Sequence, residues 1–196
     1  MMTEKTLLSD ALSASRCVIS VMGDHAGEGV AAIFRRKIAD IQNAELTFWL
    51  VKSPKAKPTS VQHLCADHPT HVLFVAPASA GGARPTEVDE KAVEYSVDGL
   101  RWSALPAGLG AVTGKLDSRA YALAFDALEV VEDGTADLWR YADFAEPETP
   151  IRMILGCSTV CATKKDMTSH PGKLKSRFRR ILAVARTVAP HCVFVR

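Results

Sequence analysis

The sequence predicts a single α/β domain over residues 1–196, with a mixed, largely parallel sheet, crossover helices and an antiparallel middle section. Three observations lead there. From Glu4 to Val75, apolar β-branched runs alternate with helical patterns, the order expected of strands joined by crossover helices. Between Glu87 and Glu148 the pattern changes to turn signals and acids, read as an insertion or a sheet extension over residues 87–148. After the linker Glu146–Pro150 the strand-like and helix-like segments return.

Each element has its own warrant. Leu7, Leu8, Ala11 and Leu12 fall at helical spacing within Glu4–Ser13, with Thr3 available as the cap. Cys17–Met22 is wholly apolar, as a strand covered on both faces should be. Gly23–Gly29 breaks it, and Val30, Ile33, Phe34, Ile38 and Ile41 then form one side of a helix. Leu46–Val51 reads as a strand, Lys52–Pro58 as a Pro/Lys loop, Ser60–Cys65 as a short helix, and His71–Val75 as a third strand. Asp98-Gly99 inside YSVDGLRW signals a hairpin with a type I′ turn, in which both residues take positive φ. Tyr121–Val131 reads as a long strand that turns back at Glu132–Thr135 into Leu138–Phe144. Ile151–Leu155 reads as a strand, Lys173–Val188 as a helix with Leu174, Phe178, Ile181, Leu182, Ala185 and Val188 in its apolar stripe, and His191–Val195 as the last strand.

Composition sets bounds. With 47% hydrophobic and 23% charged residues, the chain can bury a core without a disulfide or metal staple. No apolar run reaches the roughly 20 residues that cross a bilayer, and the N-terminus lacks the apolar stretch of a secretory signal, so the expected setting is cytoplasmic with no membrane partner. Five cysteines, an odd number without framework spacing, fit reduced thiols.

Charge is sorted along the chain. Lys164–Arg186 holds eight basic residues against one acid, a net of +7, and Glu87–Glu148 holds five bases against fourteen acids, a net of −9. The total of +2 conceals both. Such sorting predicts either an anion held near the basic segment or contact between the oppositely charged sections.

Two loops carry the candidate chemistry. Gly23, Gly27 and Gly29 precede a helix whose N–H groups suit an anion, yet their spacing is neither a dinucleotide fingerprint nor a P-loop. The plainer reading is a tight turn with Asp24 as a cap, while Asp24, His25 and Glu28 together suit hydroxyl recognition, acid–base work or metal ligation. The stretch Gly156–Lys165 offers Ser158, Thr159, Lys164 and Lys165 to a phosphate or carboxylate. Cys157 there is a candidate nucleophile needing His25 or His170 as base, and Cys157 and Cys161 lack zinc-pair spacing. Further on, Lys173, Lys175 and Arg177 fall in the first turns of the expected helix, where the helix dipole disfavours cations unless an anion or acidic surface meets them.

In a parallel sheet these loops would share the carboxyl edge. That edge would gather Asp24, His25 and Cys157 as catalytic candidates. Around them would lie Gly27, Glu28, Ser79, Arg84, Ser158, Thr159, Lys164 and Lys165 as ligand-binding candidates. The leading expectation is therefore a phosphate-bearing small molecule or nucleotide, bound by an enzyme or a binding protein. The alternatives are a nucleic-acid module using the basic C-terminal helix, and a non-catalytic interaction protein that forms a homo-oligomer through its opposite charges. No metal is implied.

Overall fold

From Phe178 onward, the segment read as a terminal helix is instead a strand inside the sheet. The computed structural model describes residues 6–25, 27–51, 55–67, 69–78, 90–114, 116–117, 120–151, 155, 159–165 and 177–196. In chain order the elements begin with α1 (Leu7–Ser13), β1 (Arg16–Val21), α2 (Val30–Ala44), β2 (Thr47–Val51), α3 (Pro58–Leu64) and β3 (His71–Val75). The middle section supplies β4 (Glu90–Lys91), β5 (Glu94–Ser96), β6 (Ser103–Ala104), β7 (Thr113–Gly114), β8 (Tyr121–Val130) and β9 (Thr135–Asp137). A 3₁₀ turn (Leu138–Arg140) leads into β10 (Tyr141–Asp143), followed by β11 (Thr159–Lys164) and β12 (Phe178–Val195).

Local expectations survive best where a pattern is strong. Helix α2 runs from Val30 to Ala44 and buries Ile33 and Phe34. Helix α1 starts at Leu7, and its cap is Thr6 rather than Thr3, with Thr6 Oγ1 accepting from the Ser9 N–H.

The sheet is mostly antiparallel, which corrects the expectation of a largely parallel one. Its main path is β10-β11-β1-β3-β12-β8-β2. Among the described strand pairs only β1–β3 is parallel. Strand β12 supplies the reason: it enters between β3 and β8, antiparallel to both. Its ends also pair with β9 and β5.

Why Phe178–Val188 is not a helix follows from burial on both sides. Ile181 and Val184 pack into one cluster while Ala183 and Ala185 pack into another on the opposite face. A strand covered on both faces is a continuous apolar run, which periodicity cannot separate from a buried helix. The part of the expected helix before Arg177 lies outside the described residues. Ile151–Leu155 is likewise not a strand at its described ends: the Leu155 N–H donates to Ile151 O, four residues back, as in a helical turn.

Helices α2 and α3 cover one face, over a cluster that includes Phe34, Phe74, Leu123 and Phe125. Helix α1 covers the other face, over Ile19, Leu73, Val75 and Ile181. A third cluster, with Phe48, Val112, Ala122 and Val193, lies beneath the chain that leads into β8. Strand β8, from the acidic section, thus lies inside the sheet between β2 and β12.

The hairpin forms with a different turn. Tyr95 pairs with Ser103, leaving a loop longer than two residues, and only Gly99 of the Asp-Gly pair has positive φ. Asp98 organises that loop by accepting from Leu100 N, Arg101 N and Ser96 Oγ. These bonds hold its carboxyl well below the ordinary range.

Candidate functional site

The parallel β1–β3 pair does place the ends Val21 and Val75 side by side, with Met22 N–H donating to Val75 O. Beyond β1 the polar groups serve the fold. Asp24 Oδ1 accepts from the Val30 N–H at 3.1 Å and so caps α2. His25 and Glu28 exchange backbone hydrogen bonds across a turn in which Gly27 has φ +79°. The Glu28 carboxylate accepts from Arg36 Nη2 at 2.8 Å and Nε at 3.3 Å, and this pair lowers the Glu28 pKa.

Strand β11 runs antiparallel to β1, with Ser20 opposite Thr159 and Arg16 opposite Thr163. Thr159 therefore shares the carboxyl end of β1, and its buried hydroxyl is committed to Ser20 Oγ at 2.7 Å. Lys164 and Lys165 sit at the opposite end, roughly 17 Å away at about 3.3 Å per residue. Lys164 Nζ donates to Leu12 O, and Lys165 Nζ donates to Glu148 at 3.3 Å. The structure does not bring these lysines to Asp24 and His25, because the strand that carries them runs downward where a parallel strand would run up. Ser79, Arg84, Cys157, Ser158 and His170 lie outside the described residues.

The sorted charge has an internal answer. Arg177 grips Asp137 at 2.7 Å, Arg186 grips Asp126 at 2.9 Å, and Arg196 meets Glu94 at 2.8 Å. With Lys165–Glu148, each of these pairs joins the basic third of the chain to the acidic middle. Antiparallel register sets them opposite one another: Arg186 faces Ala127, next to Asp126, and Phe178 faces Asp137. Exposed pairs of this kind contribute about 0–1 kcal/mol each, so their larger effect is on strand register. Among the described residues, these four pairs meet part of the complementarity between the two sections within one chain.

The Arg177–Asp137 pair has a pH signature. The guanidinium holds the Asp137 carboxyl below its ordinary value, so the pair's stabilisation is present above about pH 3.9 and fades as pH falls through the lower folded value. The stability gap between wild type and Arg177→Ala should therefore be smaller at about pH 3 than at about pH 6 in urea titrations. A gap that stays constant would show that Arg177 acts only through its stacking on Trp139 and Phe178.

A concave polar site does form elsewhere, where chain leaving the two edge strands meets. A pocket of about 260 Å³ is lined by Lys55, Lys57 and Ser60 after β2, by Asp143, Ala145 and Glu146 at the end of β10, and by Cys161 of β11. The connector is fixed at Ala56, which is buried and whose carbonyl accepts from Tyr121 Oη. With Ala56 turned inward, Lys55 and Lys57 on either side line the pocket, and Ser60 follows one helical turn after Lys57.

The opposite wall is a tight turn. Asp143 Oδ1 accepts from Ala145 N at 2.7 Å and Glu146 N at 3.1 Å, and Glu146 Oε2 accepts from Thr149 Oγ1 at 3.3 Å. Those bonds leave Asp143 Oδ2 and Glu146 Oε1 without a share in the turn. Cys161 is buried, and burial pushes its thiol far above the ordinary range, so it stays a neutral thiol at the pocket's base and not a nucleophilic thiolate.

Sequence reasoning passed over all of these pocket residues as ligand contacts. The one available signal was Lys-Ala-Lys-Pro, an alternation that aims two ammonium groups the same way just ahead of a helix. Nothing in the sequence ties that segment to Asp143 and Glu146. No group of three or more His, Cys, Asp or Glu able to hold a metal occurs among the described residues. No described helix is long and apolar enough to cross a membrane. No protein-family model, curated protein or solved structure matches the chain.

Proposed function

We propose that the chain binds a small phosphorylated or similarly anionic molecule in the pocket between the β2–α3 connector and the β10 turn. The observation that carries this reading is that two lysines and a serine, Lys55, Lys57 and Ser60, line one wall of the cavity. Such donors are what a phosphate or carboxylate needs. A volume of about 260 Å³ is below the 300–1,000 Å³ of pockets that enclose drug-sized ligands, so a small metabolite suits it better than a whole nucleotide.

Nucleic acid is the weaker reading. Lys165, Arg177 and Arg186, three of the eight basic residues between Lys164 and Arg186 that it would use, already hold carboxylates of the same chain. A phosphate contact at any of these three would have to displace a carboxylate.

Glycerol phosphate and pyrophosphate are suitable first probes. A ligand at about 100 times its Kd stabilises by about 2.7 kcal/mol, which for a chain of this size raises Tm by about 5–10 °C. Lys57→Ala should weaken binding about ten- to hundredfold, the worth of one hydrogen bond to a charged group. Unchanged affinity in a folded Lys55→Ala/Lys57→Ala double variant would remove the assignment.

A further inference from the structure

We infer that His191 is a proton-operated latch: while neutral it holds a bulge of β12 to the α3–β3 corner through the Thr187 hydroxyl, and on protonation it releases both. The bulge is large for a strand inside a sheet. Thr187 pairs with Phe125 of β8 and Cys192 with Leu123, so Val188–His191 stands against Ala124 alone. His191 closes the bulge with φ +65°, a left-handed backbone that a residue other than glycine keeps only where its surroundings enforce it.

The side-chain contact at that point is with Thr187. Thr187 is fully buried, and its Oγ1 meets the Thr70 N–H at 3.0 Å, His191 Nδ1 at 3.2 Å and Cys65 Sγ at 3.7 Å. A hydroxyl has one hydrogen to give and two lone pairs. The Thr70 N–H takes one lone pair. A ring nitrogen is a better acceptor than a thiol, so the hydrogen goes to Nδ1 and the Cys65 S–H takes the second lone pair. These bonds tie β12 to Cys65, the C-cap of α3, and to Thr70, just before β3. The Thr187 N–H adds a further bond to Thr70 O at 2.8 Å.

An imidazolium offers no lone pair at Nδ1. The Thr187 O–H then loses its acceptor there, and Nδ1–H competes for the lone pair that Cys65 holds. The new charge has no counterion: among the described residues no charged group acts on His191, and burial alone lowers its pKa. The titratable groups sharing its cluster on the neighbouring elements are Cys65 of α3, Cys192 of β12 and Tyr121 of β8, all kept neutral by burial. His63 and Asp67 are exposed, and Arg186 and Asp126 pair with each other on the opposite face of the sheet. A charged ring is therefore drawn to water, and the left-handed turn relaxes with it. Opening grows as pH falls below about 6.5, the ordinary histidine value. Helix α3 also supplies Ser60 to the polar pocket, so acid loosens one of its walls, but the latch needs no ligand there.

Hydrogen exchange of the full chain, followed amide by amide by NMR and converted to protection factors, tests the latch. From about pH 7.5 to about pH 5.5, protection at the Thr187 and Cys65 amides, taken relative to Leu73 of β3, should fall at least about threefold; an ordinary histidine one unit below its pKa bounds the fall at about tenfold. His191→Asn tolerates the left-handed turn and does not titrate, so it should abolish the fall. A fall of the same size in that variant, or none in the wild type, overturns the latch. Should the variant not fold, the ring-nitrogen chemical shifts of His191 in the wild type decide. Nδ1 without a proton at about pH 7.5 supports the latch, and a protonated Nδ1 there overturns it.

Discussion

Asp40→Ala should lower the unfolding free energy by about 3–5 kcal/mol, the usual cost of removing one member of a buried ion pair. Asp40 and Lys37 are both buried in α2, 3.2 Å apart. The carboxylate also accepts from Thr47 Oγ1 at 2.7 Å and from Gly110 N–H at 2.8 Å, and Lys37 Nζ donates to Phe48 O at 2.7 Å. One carboxylate thus ties α2 to β2 and to the chain ahead of β8. The fit is tight enough that a Cβ at Gly110 would stand 2.4 Å from Asp40 Oδ1.

Removing the acid leaves Lys37 buried beside a single carbonyl. Burial already lowers the Lys37 pKa, and without Asp40 it would fall further. A buried base with a lowered pKa destabilises most below its folded value, and the penalty shrinks as pH rises toward about 10.4, where the unfolded lysine also loses its proton. Urea denaturation should accordingly show the largest deficit near neutral pH, part of it recovered near about pH 10. Lys37→Met/Asp40→Leu should be less destabilised than Asp40→Ala, since no charge is then left unpaired. A deficit under about 1 kcal/mol would mean that water reaches the pair.

Phe74→Ala should cost about 3–5 kcal/mol, the range for emptying a buried aromatic site. Phe74 is fully buried on β3, and its ring lies 4.4 Å from Trp49, 5.4 Å from Phe34 and 6.0 Å from Phe125 between centroids. Those rings come from α2, β2, β3 and β8, so the cavity would open where helix and sheet meet. Because Trp49 is the nearest ring, its fluorescence should shift in the folded variant even before unfolding is measured. Phe74→Leu, which keeps most of the volume, should lose clearly less. Equal losses for the two variants would show that a ring-specific contact, and not the filled volume, is what matters.

Legibility in the sequence followed the range of the interactions. Helix α2 and strands β1 and β3 were readable because their signals lie within one or two turns of chain: an apolar stripe, a β-branched run, breaking glycines. The tight turn at Asp24 was readable for the same reason, though the side chain caps Val30 from outside the helix and Gly29 takes the cap position. Strand β12 was not, since Ile181–Val188 is apolar on both faces and satisfies a helical stripe equally well. That one misreading propagates. A helix there leaves β3 and β8 without the strand between them, and the sheet then looks parallel.

The candidate site was less visible still. Asp24, His25 and Glu28 have the composition of a ligand loop, but their partners are a helix start, a turn and Arg36. Lys164 and Lys165 have the composition of an anion site, but the direction of β11 takes them to the other end of the sheet. The pocket instead joins Lys55 and Lys57 to Asp143 and Glu146, from two segments that the sequence marks only as loop and linker.

Local pattern was enough to establish an α/β chain, to locate its first strands and helices, and to offer contact between the acidic and basic sections as one of two outcomes of the sorted charge. Folding in three dimensions chose which way β11 runs, what conformation Phe178–Val195 adopts, and where a cavity opens. The division has a physical cause. Helical stripes and caps depend on neighbours three or four residues away, whereas strand pairing depends on surfaces far apart in the chain, as Ser20 and Thr159 meet across 139 positions. A run buried on both faces carries no mark of its own direction or partner, so the surfaces it fits between must supply both.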